Sequence, residues 1–125
     1  MIHGIGTDIA TIARFSAMLN HHGDRALGKC LAPKEQDDCR TSAEPARFLA
    51  KRFAAKEALG KALGTGIRNP VLLPSIEIIH DALGKPGFRF HGTLAEYISH
   101  RHLICHLSIS DEKDQALAFV VVEQP

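Results

Sequence analysis

Tryptophan is absent from the 125-residue sequence, and tyrosine occurs only once. Proteins that hold single-stranded nucleic acids stack the bases on aromatic side chains, so this scarcity argues against a general nucleic-acid-binding function. The formal net charge of +1 is small, but it is unevenly distributed. Residues 1–62 carry ten Lys or Arg against seven Asp or Glu, whereas residues 63–125 carry five against seven. The basic first half is compatible with a local surface for an acidic protein partner.

Long apolar segments are also missing. No apolar run approaches the ~20 residues of a membrane-spanning helix, and no charged-then-apolar signal peptide opens the chain. We therefore expect a cytoplasmic protein that does not act at a membrane. Hydrophobic residues make up 45% of the chain and charged residues 23%, which is ordinary for a globular protein. This length supports a single core, so we expect one domain over residues 1–125.

Several familiar site patterns are absent as well. Cys30, Cys39 and Cys105 are odd in number and far apart, which argues against a disulfide framework or a zinc ribbon and favours reduced, mostly structural thiols. The eight histidines form no His-x-x-x-His pair on a predicted helix and no Cys/His group, so a zinc site is not expected. The sequence contains neither a Gly-Lys-Ser/Thr phosphate loop nor the Gly-x-Ser-x-Gly pattern of serine hydrolases.

A long helix is the strongest structural signal, and we predict it from about Ala43 to Leu63. Residues 48–61 are rich in Ala, Leu, Lys, Arg and Glu and contain neither proline nor a β-branched residue. Large apolar side chains share one broad arc of this helix, namely Leu49, Phe53, Leu59 and Leu63. Arg52 and Lys56 fall inside the same arc, where a charge is costly unless an opposite charge meets it.

Two interpretations of these charges remain open. In the first, Glu57 and Lys61 form an exposed ion pair one turn apart, while Arg52 and Lys56 lay their methylene stems over the core and keep their charges in water. In the second, Glu57 holds a cation while Lys56 and Lys61 bind an anion such as a phosphate. The helix alone does not decide between them.

The first strand, predicted from Ile2 to Ile9, contains Gly4 and Gly6, which allow another backbone to approach closely. Its bulk is expected to come from three isoleucines, namely Ile2, Ile5 and Ile9. Asp8 comes just before a helical segment. Either Asp8 or Thr11 is simply the N-cap of that helix, or Asp8 is a functional carboxylate.

The remaining predicted elements are shorter. The helices are Thr11–His21, Arg25–Leu31, one beginning at Pro33, and Thr93–His100; the strands are Ile76–His80, Phe88–His91, Leu103–Ser110 and Ala116–Val122. His106, Ser108 and Ser110 share one face of their strand. That face is either ordinary solvated surface or the lining of a polar groove.

Three separated segments resemble one known family. Gly4–Ile9 followed by Arg14, then Phe53–Lys61, then His106–Ser110 are similar to the holo-acyl-carrier-protein synthases, which are short, single-domain 4′-phosphopantetheinyl transferases. The chain length and the terminal segment Ala118–Glu123 resemble the same family. The resemblance implies transfer of 4′-phosphopantetheine from coenzyme A to a serine of apo acyl carrier protein, in support of fatty acid biosynthesis. Adenosine 3′,5′-bisphosphate is the other product.

The resemblance also implies an architecture and an assembly. The fold is expected to be α+β, with a small mixed or antiparallel sheet wrapped around a long central helix. The family forms homotrimers with the coenzyme A site between neighbouring subunits.

The same resemblance implies roles for single residues. Asp8 and Glu57 would hold Mg²⁺ against the coenzyme A diphosphate, which suits an ion that prefers one or two carboxylates together with phosphate oxygens and waters. Asp8, Glu57 and Lys61 would be the catalytic residues, with Lys56 and Lys61 near the phosphates.

Other residues would complete the substrate sites. By the resemblance, Lys85 and Pro86 contact the nucleotide, while His106 and Ser108 face the substrate groove. The carrier protein is acidic, and Arg14 and Met18 on the first helix are expected to meet it.

Asp111 departs from the family pattern, since many members carry His at this position. The general base therefore stays open among Glu57, a metal-bound water and Asp111. Two other functions also stay open: a different Mg²⁺-dependent enzyme acting on a nucleotide diphosphate, and a non-catalytic module that binds an acidic protein.

Overall fold

The computed structural model describes residues 1–125 and contains five helices and five strands. In chain order the elements are β1 (Ile2–Thr11), α1 (Ile12–His22), α2 (Asp24–Cys30), α3 (Pro33–Thr41), α4 (Pro45–Leu63), a 3₁₀ turn (Leu73–Ser75), β2 (Ile76–His80), β3 (Pro86–Phe90), α5 (Gly92–His100), β4 (Ile104–Asp111) and β5 (Gln115–Glu123). Every predicted element is present, with its ends shifted by a few residues. The long helix begins at Pro45 because a proline at the first helical position needs no backbone donor.

The strands form two antiparallel sheets. One has the order β1-β5-β4, and the other is the hairpin β2–β3. In the larger sheet Asp8 on β1 pairs with Ala118 on the central strand β5, and Ala118 also pairs with Ile109 on β4. We expected either a mixed or an antiparallel sheet, and every strand pair is antiparallel.

Helix α4 packs across the inner face of the larger sheet. On β5 the inner face consists of small or branched side chains, namely Ala116, Ala118, Val120 and Val122, all of them buried. On β1 two glycines face the helix. A Cβ atom at Gly4 would lie 1.9 Å from the carbonyl oxygen of Ala62, and one at Gly6 would lie 2.0 Å from that of Ala58. The predicted close backbone approach is confirmed, and it brings β1 directly against α4.

The outer face of the same sheet carries exposed apolar side chains on β1 and β5. Ile5 and Ile9 on β1 are 61% and 59% exposed, and Leu117 and Phe119 on β5 are partly exposed. Ile2, Ile5 and Ile9 are the bulky residues of this strand, as predicted, but each is more than half exposed and none belongs to the core. The core is formed instead by 25 buried residues drawn mainly from α4 and the inner sheet face.

No cysteine is paired, in agreement with the expected free thiols. None of the helices combines the length and the apolar character needed to cross a bilayer.

Candidate active site

Asp8 lies on the inner face of β1, because it shares the alternation of Gly6 and Ala10. Its side chain is 19% exposed, at the edge where the strand passes α4. Helix α1 begins only at Ile12, and its N-cap residue Thr11 makes no side-chain capping bond. The N-cap interpretation of Asp8 is therefore wrong, and its carboxylate is available for another role.

Lys61 reaches from α4 to the same edge of β1. Its Nζ donates a hydrogen bond of 2.8 Å to the carbonyl oxygen of Thr7 and lies 3.3 Å from Oδ1 of Asp8. No ion pair joins Lys61 to Glu57, so the predicted pair one turn apart on the helix is not formed. The lysine is more than half exposed and can turn toward a bound anion.

Glu57 completes this group of charges. Partial burial raises the pKa of the Glu57 carboxyl, and the nearby negative charge of Asp8 raises it further, while Lys61 and Arg14 act in the opposite direction. Two carboxylates that repel each other in this way favour a cation between them. The pair supplies the one or two carboxylates that Mg²⁺ takes from a protein when phosphate oxygens and waters complete its shell.

Arg14 and Met18 lie beside this group on α1. The Arg14 guanidinium carbon is 5.1 Å from the ring centroids of Phe15 and of Phe53, so the side chain bridges α1 and α4 through cation–π contacts. Met18 and Phe53 line a cleft of about 750 Å³. The cleft also has a basic wall, formed by His22, Arg25 and Lys29.

Lys56 is not part of the charged group. Its side chain is fully buried, and its Nζ donates to Glu35 Oε1 at 2.6 Å, to the carbonyl oxygen of Cys30 at 2.8 Å and to that of Leu73 at 3.0 Å. Burial lowers the pKa of Lys56, and the charge of Glu35 opposes this effect.

Both open interpretations of Lys56 are therefore corrected. The charge lies neither in water nor in reach of a phosphate, because three acceptors already take the three donors of the ammonium. Arg52 is mostly buried too, and its Nη1 lies 3.2 Å from Oε2 of the same Glu35.

His106 and Ser108 lie away from Asp8 and Glu57 within one chain. Their side chains are exposed on the outer face of β4, whereas Asp8 faces α4 on the inner side. His106 Nε2 contacts a carboxylate oxygen of Glu123 on β5. The sheet thus separates these two predicted groups of site residues.

Lys85 and Pro86 are at the end of the β2–β3 hairpin. Asp81 accepts the backbone N–H groups of Leu83 and Lys85, which fixes the turn and lowers the pKa of Asp81. Pro86 pairs with His80 at the start of β3, and no hydrogen bond or ion pair links Lys85 to Asp8 or Glu57.

Asp111 is held by the first half of α4. Its Oδ2 lies 2.8 Å from Nη1 of Arg47, which also donates to the carbonyl oxygens of Glu112 and Lys113. Arg47 precedes Glu57 by ten residues, which is about 15 Å along a helix. Asp111 therefore pairs with the first half of α4, where Lys51 Nζ also lies 3.8 Å from its Oδ1, and no ion pair or hydrogen bond joins it to Glu57.

Two features of the site were not predicted from the sequence. Glu35 is a buried partner of two α4 cations, yet it lies in the polar stretch Pro33–Asp38, which has the composition of a solvated helix. The basic wall of the cleft was visible only as a general excess of positive charge. The one sequence signal for Glu35 was its place as the third residue of α3, which begins at Pro33. An acidic side chain at this position can accept a hydrogen bond from the backbone N–H of the N-cap residue, here Ala32.

This fold is that of one protein class. Residues 4–120 match the model of the 4′-phosphopantetheinyl transferase superfamily, and the chain belongs to that superfamily.

Curated relatives are similar over nearly the whole chain. A protein of Dechloromonas aromatica and one of Azoarcus sp. are each 54% identical over 123 residues, which cover 98% of this chain and 98% of theirs. Both bear the name holo-[acyl-carrier-protein] synthase.

Solved structures give the same result. The holo-[acyl-carrier-protein] synthase of Neisseria meningitidis superposes with a TM-score of 0.95 at 45% identity, covering 99% of this chain and all of the other. The synthase of Bacillus anthracis, solved in complex with coenzyme A (3′,5′-ADP), gives a TM-score of 0.83 at 37% identity and covers 100% of this chain and 99% of the other. The predicted family and α+β fold are confirmed.

Proposed function

We propose that this protein transfers the 4′-phosphopantetheine group from coenzyme A to a serine hydroxyl of apo acyl carrier protein. The observation that carries the proposal is full-length similarity to relatives named holo-[acyl-carrier-protein] synthase, in a chain whose Asp8, Glu57 and Lys61 are grouped where β1 meets α4. The products are holo acyl carrier protein and adenosine 3′,5′-bisphosphate. The predicted place in fatty acid biosynthesis follows from that substrate, and a cytoplasmic location stays a prediction.

Asp8 and Glu57 are the residues that would hold Mg²⁺. Their mutual repulsion, expressed in the raised pKa of Glu57, supports this assignment, because a divalent cation removes the repulsion. When bound, the ion would supply positive charge to the diphosphate oxygens of coenzyme A.

Lys61 supplies a second countercharge at the same edge. In the transfer, the serine oxygen forms a bond to the β-phosphorus, and the bond from that phosphorus to the bridging oxygen breaks as the bisphosphate leaves with the electron pair. Phosphoryl transfer depends mainly on positioning and on stabilisation of charge at these oxygens. A half-exposed ammonium that already reaches Asp8 is suited to this role.

Glu57 is also the stronger candidate for the group that receives the serine proton. Glu57 belongs to the same charged group as Asp8 and Lys61, whereas Asp111 is bound to Arg47 near the start of α4. Lys56 has no role at the phosphates in this proposal. Lys85 and Pro86 stay predicted nucleotide contacts at the exposed end of the hairpin.

The carrier protein is proposed to dock beside Arg14 and Met18. The 750 Å³ cleft next to them combines apolar lining with the basic wall of His22, Arg25 and Lys29. An acidic protein is the partner that such a surface favours.

A homotrimer is proposed as the working form. The exposed apolar face of β1 and β5 is the kind of surface that associates with another subunit. The polar row His106, Ser108 and Ser110 lies on the same outer face, so association there would carry it toward a neighbour. Residues on opposite sides of one sheet would then contribute to one site between two subunits.

A direct assay tests the proposal. The protein is mixed with apo acyl carrier protein, coenzyme A and Mg²⁺, and mass spectrometry measures the added phosphopantetheine on the carrier. Asp8→Ala and Glu57→Ala should each nearly abolish the gain while circular dichroism shows an intact fold. Coenzyme A left unconsumed by the wild type would favour a different diphosphate enzyme. Binding of the carrier without metal dependence and without a mass gain would favour a non-catalytic module.

A further inference from the structure

Glu35 on α3 is a carboxylate buried where this helix meets α4 and β2. Its side chain is 1% exposed. Oε1 accepts from the backbone N–H of Ala32 at 2.9 Å and from Lys56 at 2.6 Å, while Oε2 accepts from the N–H of Ile78 at 3.0 Å and from Arg52 at 3.2 Å. An ionised carboxylate has about four acceptor sites, so none is left for a substrate.

Lys56 extends this network to the cleft. Its ammonium binds the carbonyl oxygens of Cys30, the last residue of α2, and of Leu73, the first residue of the 3₁₀ turn. Both residues line the cleft, and so does Phe53, which precedes Lys56 by three positions on α4. One buried cation therefore ties two lining segments of the cleft to the helix that bears Glu57.

We propose that Glu35 is a positioning residue for the carrier-protein cleft, acting through Lys56. It holds the ammonium at the point where Cys30 and Leu73 can both bond to it, and so sets the spacing of the two segments relative to α4. The inference rests on the proposed function only in taking the cleft as the docking site of the carrier.

A directional network explains these contacts better than stability alone. Removing two opposite charges from water costs so much that apolar residues of similar size often stabilise a protein equally well or better. If an apolar pair replaced Glu35 and Lys56, however, it could not donate hydrogen bonds to the carbonyl oxygens of Cys30 and Leu73. The distance between these two segments would then be set by side-chain packing alone. Fully satisfied polar networks fix one arrangement of the segments that they join.

The test compares Glu35→Gln with a matched destabilised variant. Glutamine keeps the shape but presents an amide to donors, so the link to Lys56 weakens. Leu94→Ala in α5 removes a fully buried side chain that contributes nothing to the lining of the cleft. Steady-state kinetics are measured at a temperature where circular dichroism shows both variants folded, together with coenzyme A affinity by calorimetry. Glu35→Gln should raise the KM for carrier protein about tenfold, with coenzyme A affinity changed less than about twofold. Leu94→Ala should leave both values near those of the wild type.

Hydrogen exchange supplies a readout that does not need activity. Glu35→Gln should speed amide exchange selectively in residues 26–32 and 71–76, whereas Leu94→Ala should not. If Glu35→Gln does not fold, the double variant Glu35→Gln/Lys56→Met takes its place with the same expectations. It removes both charges of the Glu35–Lys56 pair and leaves Arg52 its bond to the carbonyl oxygen of Ile78.

The outcomes separate this inference from the proposed function. A wild-type carrier KM in the folded variant, or an equal rise in Leu94→Ala, overturns the positioning role. If Glu35→Gln speeds amide hydrogen exchange equally along the whole chain, the positioning role is also overturned. An inactive wild-type enzyme with selective exchange in Glu35→Gln would refute the proposed function while the link from Glu35 to the cleft would stand.

Discussion

The ammonium of Lys61 lies 3.3 Å from Oδ1 of Asp8, and so places a positive charge against the carboxylate to which we assign a metal ion. Lys61 also donates to the carbonyl oxygen of Thr7 at 2.8 Å, which holds it at this position. A metal ion entering between Asp8 and Glu57 would have to share the Asp8 carboxylate with this ammonium or displace it. Lys61 and the metal ion are therefore expected to compete in the absence of coenzyme A.

This competition predicts tighter metal binding when the lysine is neutral. Lys61→Met should raise the affinity of the free protein for Mn²⁺, used as a probe, about twofold to fivefold, since exposed ion pairs are worth about 0–1 kcal/mol. Electron paramagnetic resonance of free Mn²⁺ measures the affinity without any turnover. Weaker binding in Lys61→Met would show that the lysine supports the metal ligands instead of competing with the ion.

A second prediction concerns Lys61 in the transfer itself. Lys61→Ala should lower kcat by roughly 10²–10³, the loss found when one preorganised charge-stabilising donor is removed. Quenched assays at saturating concentrations of coenzyme A and carrier protein measure kcat directly. A variant Lys61→Gln with full kcat and only a raised KM would assign the lysine to uniform substrate binding.

The positions of Asp8, Glu57 and Lys61 show how far the sequence could lead. Asp8 and Glu57 are 49 residues apart, yet the alternation of β1 with its glycines predicts that one strand face meets a helix closely. The family resemblance named the same three residues. Helical spacing predicted that Lys61 pairs with Glu57. Lys61 pairs with Asp8 instead, because the carboxylate on the strand lies closer to its ammonium than the carboxylate on the helix does.

Lys56 and Glu35 form an ion pair that could not be predicted from the sequence. The arc of α4 correctly marked Lys56 as a charge on the buried side. Its partner could not be found, because a glutamate in a polar, proline-initiated helix gives no sign of burial until α3 is packed against α4. Long-range pairing of two single charges depends on tertiary geometry, which local pattern does not encode.

A third prediction places the carrier protein at Arg14. Arg14→Glu reverses a charge beside the cleft and should raise the KM for the acidic carrier, while the affinity for coenzyme A stays the same. The effect should shrink as salt is raised, since exposed charges are screened over a Debye length of about 8 Å at 0.15 M. Lys113→Glu, the same charge change on the β4–β5 turn, serves as the control. An unchanged KM in Arg14→Glu at low salt would remove Arg14 from the docking surface.

A fourth prediction concerns the thiols. Burial raises the pKa of Cys105 to about 11, and it also raises the pKa values of Cys30 and Cys39. At pH 8 only about 10⁻³ of the Cys105 thiol is therefore the reactive thiolate. Iodoacetamide should therefore label Cys105 about 100-fold more slowly in the native protein than in guanidinium, as followed by mass spectrometry. Fast labelling of the native protein would mean that β4 opens readily or that its inner face is less buried.

The apolar outer face of the sheet leads to a prediction about assembly. Phe119→Asp places a charge in the middle of this face and should convert the proposed trimer into monomers, as measured by light scattering. Leu83→Asp changes an even more exposed apolar residue on the hairpin turn and should leave the assembly intact. A monomeric wild type that stays fully active on dilution would contradict the proposed assembly.

Subunit mixing then tests whether one site uses two chains. Glu57→Gln and His106→Ala should each lower activity, because Glu57 lies at the β1–α4 edge and His106 on the far side of the sheet. When the two variants are unfolded together and reassembled, about one quarter of the sites in a randomly mixed closed ring would pair an intact Glu57 with an intact His106 from the neighbour. Activity measured at low coenzyme A should then exceed that of either variant alone. Mixing that restores nothing, in samples shown by mass spectrometry to contain mixed trimers, would place the whole site within a single chain.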